Sequence, residues 1–191
     1  WAIRWACVLA ATVLFTVLYA AVSWPQSSIA LSRLEVDLWP EYDRPGVLVI
    51  YRVVIAPDAD LPARMSFRIP TAAGAPNAVA ERRLDGALQN LAYEREALGD
   101  WASINLTASG PELQIEYYDP RLDRQGSTRR FSFTWPGDYA IGALTFTVQQ
   151  PVDARALETR PAASGRGPGP DGLTYHTVMI PGGARGETVD L

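Results

Sequence analysis

Residues 31–55 read LSRLEVDLWPEYDRPGVLVIYRVVI, and their pattern of apolar and polar residues indicates the fold class. In the first half, Leu34, Val36 and Leu38 alternate with charged residues, as on the buried face of a β-strand. Residues 46–55 are almost continuously apolar, which predicts a central strand buried on both faces. The intervening proline and glycine supply turn chemistry. The stretch therefore predicts two strands separated by a turn.

Similar short segments follow along the chain, each bounded by proline, glycine or aspartate. They are ARMSFRI (63–69), ALQNLAYE (87–94), WASINLTA (101–108), LQIEYY (113–118), RFSFTW (130–135), ALTFTVQQ (143–150) and LTYHTVMI (173–180). With no helical stretch after residue 24, this pattern predicts an all-β domain, an antiparallel β-sandwich of immunoglobulin-like or jelly-roll topology. The Pro/Gly-rich residues 160–172, RPAASGRGPGPDG, are expected to form a loop without regular structure.

An uncharged apolar run precedes this domain. Residues 5–24 read WACVLAATVLFTVLYAAVSW, enough for one membrane-spanning helix of about 20 residues. We expect an anchor helix over residues 1–24, a linker over 25–29 and the β-domain over 30–191, with Pro25 ending the helix. A cleavable signal peptide is the alternative, and we favour a retained anchor.

The flanks and faces of this run add detail to the membrane hypothesis. Aromatic residues at both ends resemble the belts that lie at lipid headgroup level: Trp1, Trp5, Tyr19 and Trp24. Arg4 is the only charge near the run, so the N-terminus is expected in the cytoplasm and the domain on the extracytoplasmic side of the cell membrane. Small residues at four-residue spacing would let another helix approach closely, although they could also be simple apolar filler: Ala2, Ala6, Ala10, Thr12, Thr16 and Ala20.

The composition excludes several kinds of chemistry. All 17 basic residues are arginine, a bias typical of GC-rich bacterial genomes, so lysine-based catalysis is absent. Cys7, in the apolar run, and His176 are the single cysteine and histidine, too few for most zinc, copper or haem sites. From Pro25 onward, 16 arginines face 21 acids, a balance that disfavours nucleic acid and anionic lipid surfaces as partners. No cofactor is expected.

Three constellations could in principle carry chemistry, and each has a simpler explanation. Glu35 and Asp37 share a strand face as in jelly-roll glycosidases, but the third acid, Glu41, follows a strand-breaking proline. The aspartates at 58, 60, 119 and 123 could bind calcium, yet aspartate is also a turn former. His176 has no recognisable nucleophile to activate. We therefore predict no catalytic or metal-binding residue.

Aromatic residues at strand ends and turns are the better functional signal. They are Trp39, Tyr42, Trp101, Tyr118, Trp135 and Tyr139. Such rings form binding platforms on β-sandwiches, although they can equally fill the ends of the core.

These expectations combine into a non-catalytic, single-pass membrane protein that acts by contact. The preferred function is an accessory or structural subunit of a larger membrane protein complex, with the lipid bilayer and other, unidentified membrane subunits as partners. The alternatives are a membrane-anchored binding module for glycan or peptide and, below that, a subunit of a pilus-like filament.

Overall fold

The computed structural model describes residues 29–83 and 85–191, and within these ranges the protein is an all-β domain. Its strands are β1 (Ala30–Pro40), β2 (Val47–Ile55), β3 (Ala63–Pro70), β4 (Ala78–Arg82), β5 (Leu88–Asn90), β6 (Tyr93–Leu98), β7 (Trp101–Ala108), β8 (Glu112–Asp119), β9 (Asp123–Gln125), β10 (Thr128–Arg130), β11 (Thr134–Trp135), β12 (Ala140–Gln149), β13 (Gly165–Pro168), β14 (Thr174–Gly183) and β15 (Val189–Asp190). A single 3₁₀ turn, Thr71–Ala73, is the only helical segment in the described part of the chain.

The main sheet has eight strands in the order β13-β14-β12-β1-β2-β8-β4-β5. All of its pairs are antiparallel except one near the middle of the sheet, in which β1 runs parallel to β12 and Leu34 lies beside Leu144. Strand β2 lies inside the sheet, and Val47 to Tyr51 are buried on both faces. Its continuous apolar sequence, rich in β-branched residues, suits such a position because neither face meets water.

A three-stranded antiparallel sheet, β3-β7-β6, covers part of the main sheet. Its alternate residues Met65, Phe67 and Ile104 join one hydrophobic core with Val36 and Phe146 of the main sheet. The free edge of β3 is closed by side chains, because the Tyr139 hydroxyl accepts a hydrogen bond from the Ser66 amide at 2.7 Å. The two layers are therefore joined by both apolar packing and hydrogen bonds.

A group of four rings, the buried aromatic cluster, fills the core where the smaller sheet ends: Tyr51, Tyr117, Phe133 and Trp135. Their side chains are at most 1% exposed, and the ring of Tyr51 meets the other three edge-on at centroid distances of 5.5 to 6.1 Å. The hydroxyls of Tyr51 and Tyr117 lie 2.9 Å apart and satisfy each other inside the core. Beside them Asp119, which is fully buried, binds Arg121 through both carboxylate oxygens.

The structure confirms the predicted all-β, mostly antiparallel architecture and the buried central strand. It corrects three details. ALQNLAYE is divided between β5 and β6 in different sheets, and RFSFTW forms no continuous strand, because its first residue ends β10 and its last two form the short β11. Within the expected loop 160–172, Gly165–Pro168 forms an edge strand on β14, a position where proline is tolerated because the outer amide needs no partner.

The helix, linker and helix-face predictions for residues 1–28 lie outside the described residues. In the described ranges, no helix is long and apolar enough to cross a membrane.

Candidate interaction surface

Three of the six predicted interaction residues come together in space. Trp39 and Tyr118 lie on opposite sides of Leu48 on the outward face of the main sheet, and Tyr42 is in the turn after β1. The structure adds Tyr175, whose ring centroid lies 6.5 Å from that of Trp39. These four residues, Trp39, Tyr42, Tyr118 and Tyr175, are called the aromatic end below.

The other three predicted residues lie elsewhere. Trp135 is 1% exposed and Tyr139 is 6% exposed, so both rings belong to the core, and Tyr139 also lines a groove beside Ile29. Both rings are enclosed because the segment that carries them, residues 131–139, folds over the inner face of the main sheet and the edge of β3. Trp101 is half-buried and opens β7 in the smaller sheet.

The ring of Trp39 contacts two other rings of the aromatic end, those of Tyr42 and Tyr175. Trp39 and Tyr42 are tilted by 54° with centroids 4.9 Å apart, and Trp39 meets Tyr175 edge-on. Tyr42 remains 53% exposed. The indole Nε1–H of Trp39 is buried and has no acceptor among the described residues.

Polar residues hold two of the tyrosines in place. Tyr118 donates to the Asp43 carboxylate at 2.7 Å, and the Arg44 guanidinium lies 3.9 Å from the centre of the same ring. Desolvation, together with the hydrogen bond to Asp43, raises the pKa of Tyr118 to about 12. Tyr175 donates to Asp171 at 2.6 Å and accepts from the Gln149 amide at 2.9 Å. Both phenols are therefore neutral, fixed donors at physiological pH.

The turn between β1 and β2 is held equally firmly. Glu41 adopts a left-handed conformation with φ of 51° and donates its amide to the Gly46 carbonyl at 2.8 Å. Gly46 has φ of 113°, and a Cβ there would lie 2.7 Å from the Asp119 carbonyl oxygen, so only glycine fits without strain. Preorganised loops bind with a smaller ordering cost than mobile ones.

The three acids that resemble a glycosidase pattern are each engaged by an arginine. Asp37 binds Arg52 at 2.9 Å, Glu35 lies 3.3 Å from Arg33, and Glu41 accepts from Arg129 at 2.8 Å. Burial raises the pKa of Asp37, and Arg52 opposes that rise. These contacts explain the three carboxylates as members of ion pairs on a sheet face.

The remaining candidates for chemistry are His176 and the aspartates at 58, 60, 119 and 123. His176 is 7% exposed, its Nε2 lies 3.0 Å from the Gln150 side-chain oxygen, and burial lowers its pKa, followed by a smaller effect of Arg166. No group of three or more histidine, cysteine, aspartate and glutamate side chains within residues 29–83 and 85–191 is placed to hold a metal ion.

The aromatic end and residue 29 lie at opposite ends of β1. The strand begins at Ala30 and ends at Pro40, so at ~3.3 Å per residue the two ends are roughly 30 Å apart. A groove of about 1110 Å³ opens at the Ile29 end, lined by Arg64, Arg185 and Tyr93 among others. The molecule therefore has a mixed polar groove where the N-terminal segment joins and an aromatic surface at the far end.

Comparisons with known proteins provide no family. No protein-family model and no curated protein matches this chain. Among solved structures, a candidate protease from Parabacteroides distasonis has a TM-score of 0.40 and 8% identity. The alignment covers 84% of this chain and 37% of the other. A likeness of this size carries no argument about fold or activity.

Sequence reasoning missed Tyr175 and the contacts of Asp43 and Arg44. Tyr175 reaches the surface because β14 pairs with β12, which pairs with β1. Strand order in a sheet has no local signature, so no pattern near residue 175 could have indicated this neighbour. The Asp43–Arg44 pair, by contrast, sits beside Tyr42 in sequence and could have been included.

Proposed function

We propose that this chain is a non-catalytic, single-pass membrane protein that serves as an accessory subunit of a larger membrane protein complex, with the aromatic end as its contact surface. The observation that carries the proposal is the aromatic end itself, in which one exposed ring, Tyr42, and three half-buried rings lie at the far end of β1 from the N-terminal segment. Tryptophan, tyrosine and arginine supply much of the binding energy in protein interfaces.

The membrane part of the proposal rests on the uncharged apolar run at residues 5–24. A helix there would place Ile29 within about 15 Å of the bilayer surface, because the intervening residues 25–28 are few and can extend no further. The aromatic end would then point away from the membrane. Alkaline extraction of membranes tests this part: a chain released into the supernatant would refute the retained anchor.

A protein partner is favoured over a glycan because the ring faces are already occupied. Sugars stack on an open aromatic face, whereas the Arg44 guanidinium lies over Tyr118 and Tyr42 packs against Trp39. The edges and hydroxyl groups that stay accessible suit side chains of another protein. A glycan-binding or peptide-binding module is the second candidate, since Asp171 and Gln149 beside Tyr175 could also hold hydroxyl groups.

The central experiment is extraction of the full chain in mild detergent followed by native mass spectrometry. We expect a stable complex with a second membrane protein, and we expect Tyr42→Ala to dissociate it. Leu98→Ala is the matched control, because Leu98 is exposed to a similar degree, 57%, but lies in the smaller sheet. A chain that is strictly monomeric, or a complex equally sensitive to both substitutions, would refute the docking surface.

A further inference from the structure

A cluster of arginines lies beside the aromatic end in an otherwise acidic domain. The β9–β10 hairpin, residues 123–130, is called the arginine hairpin here, and each of its residues is exposed. It carries Arg124, Arg129 and Arg130, and Asp123 is its only acid. The charge balance of the whole domain therefore conceals a local positive surface.

The pairing within the hairpin leaves positive charge uncompensated. Arg124 and Arg129 are direct cross-strand partners, an arrangement in which like charges repel. Glu41 neutralises Arg129, but within the described part of the chain neither Arg124 nor Arg130 lies within 4.0 Å of an acidic oxygen. Asp123, although opposite Arg130, accepts a hydrogen bond from Gln125 instead.

The arginine hairpin contacts the turn between β1 and β2, which carries Tyr42. The side chain of Arg129 reaches across to Glu41, whose next neighbour in the chain is Tyr42. The same guanidinium also donates to the carbonyls of Gly126 and Thr128, so the tip of the hairpin is tied to the β1–β2 turn. Arg129 therefore connects the hairpin that carries Arg124 and Arg130 to the turn that carries Tyr42.

We propose that the partner docked on the aromatic end presents an acidic segment, whose carboxylates bind Arg124 and Arg130 of the arginine hairpin. This inference rests on the proposed function, since it specifies the chemistry of the same partner. Arginine favours carboxylates because its planar guanidinium can donate two parallel hydrogen bonds. An acidic protein segment fits better than an anionic polysaccharide. A polysaccharide would need an open ring face for stacking, whereas the side chains of a protein can make apolar contacts with the ring edges.

The test uses the full chain in a neutral detergent and a labelled peptide of alternating glutamate and tyrosine as the probe. Binding is followed by fluorescence anisotropy at about 20 mM and about 500 mM NaCl, which are weak and strong screening conditions. We expect Arg124→Gln combined with Arg130→Gln to weaken binding about fivefold at low salt, the effect of losing two exposed ion pairs. At high salt, the double variant and the unmodified chain should bind the peptide with almost the same affinity.

The matched control is Arg64→Gln combined with Arg185→Gln, which removes the same charge at the Ile29 end of the molecule. This variant should bind the peptide like the unmodified chain. An equal loss in both double variants, or no binding at low salt, would overturn the inference. So would dextran sulfate binding that depends on Arg124 and Arg130 more strongly than peptide binding does.

The same variants separate this inference from the proposed function. If Tyr42→Ala dissociates the co-purified complex but the hairpin variant leaves its salt sensitivity unchanged, the acidic contact is wrong and the docking surface stands. If neither substitution affects the complex, both fail.

Discussion

The buried aromatic cluster and the aromatic end are both built around tyrosine and tryptophan, but they differ in burial. Trp135 and Trp39 are each followed by proline, yet Trp135 is 1% exposed and Trp39 is half-buried on an outward face. In the cluster, the rings pack against one another, the two tyrosine hydroxyls share a hydrogen bond, and the rings hold the layers together. At the aromatic end, side chains of aspartate, arginine and glutamine hold the rings in place. The difference shows that the source of the support, rather than ring content, distinguishes the buried rings from the half-buried and exposed ones.

The largest expected difference between the two regions concerns the two tryptophans. Trp135→Ala should lower the free energy of unfolding by about 3 to 5 kcal/mol, because it leaves a cavity inside the core. Trp39→Ala should lower the free energy of unfolding by roughly half as much or less, because a half-buried ring removes less apolar surface from water on folding. Urea denaturation of both variants measures this, and equal losses would mean that Trp39 is also a core residue.

A smaller effect is expected from removing single hydroxyl groups. Tyr117→Phe should cost about 1 to 2 kcal/mol, because it leaves the buried Tyr51 hydroxyl without a partner. Replacing both tyrosines by phenylalanine should cost less than the sum of the single changes. Tyr118→Phe, which frees an exposed Asp43, is the control and should fall within about 0.5 kcal/mol of the unmodified protein. Additive losses in the double variant would show that the two hydroxyls do not interact.

The outward face of the main sheet is itself partly buried at Asp37, and the pH dependence of stability can detect this burial. Because burial raises the pKa of Asp37 above its ordinary 3.8, folding favours the protonated carboxyl. The contribution of Asp37 to stability is therefore largest below pH 3.8 and declines as the pH rises through the raised pKa. As the pH is raised through this window, the free energy of unfolding of the Asp37→Asn variant should increase relative to that of the unmodified chain. Denaturation of both proteins at a series of pH values measures this difference. A shift in favour of the unmodified chain would mean that Arg52 outweighs burial.

The smallest stability effect is expected at Tyr42, where the contact function is proposed. Tyr42→Ala should change the free energy of unfolding, measured by urea denaturation, by no more than about 0.5 kcal/mol, because the ring is 53% exposed. A large destabilisation would assign Tyr42 to the structural support of Trp39 and would weaken the distinction between the two regions.

Local patterns sufficed for the long strands but not for the short ones, such as β4 and β13, nor for the arrangement of the strands in the sheets. Alternation at Leu34, Val36 and Leu38 and the apolar run of β2 indicate strands because side-chain period follows from backbone geometry. The parallel pairing of β1 with β12 could not be inferred, since it joins segments more than a hundred residues apart. For the same reason the sequence placed Trp39 and Tyr118 correctly at strand ends but could not distinguish them from Trp135 and Tyr139.

That parallel pair also bears on how the chain acquires its structure. Strand β1 is made first, yet one of its two neighbours in the sheet, β12, follows only after most of the domain has been synthesised. Pairings between such distant segments carry a high loop-closure cost and slow the search for the native state. Until β12 arrives, the apolar face and open edge of β1 and β2 are a site for aggregation. We therefore expect the domain to refold in milliseconds to seconds, and to depend on chaperones when the chain is synthesised slowly.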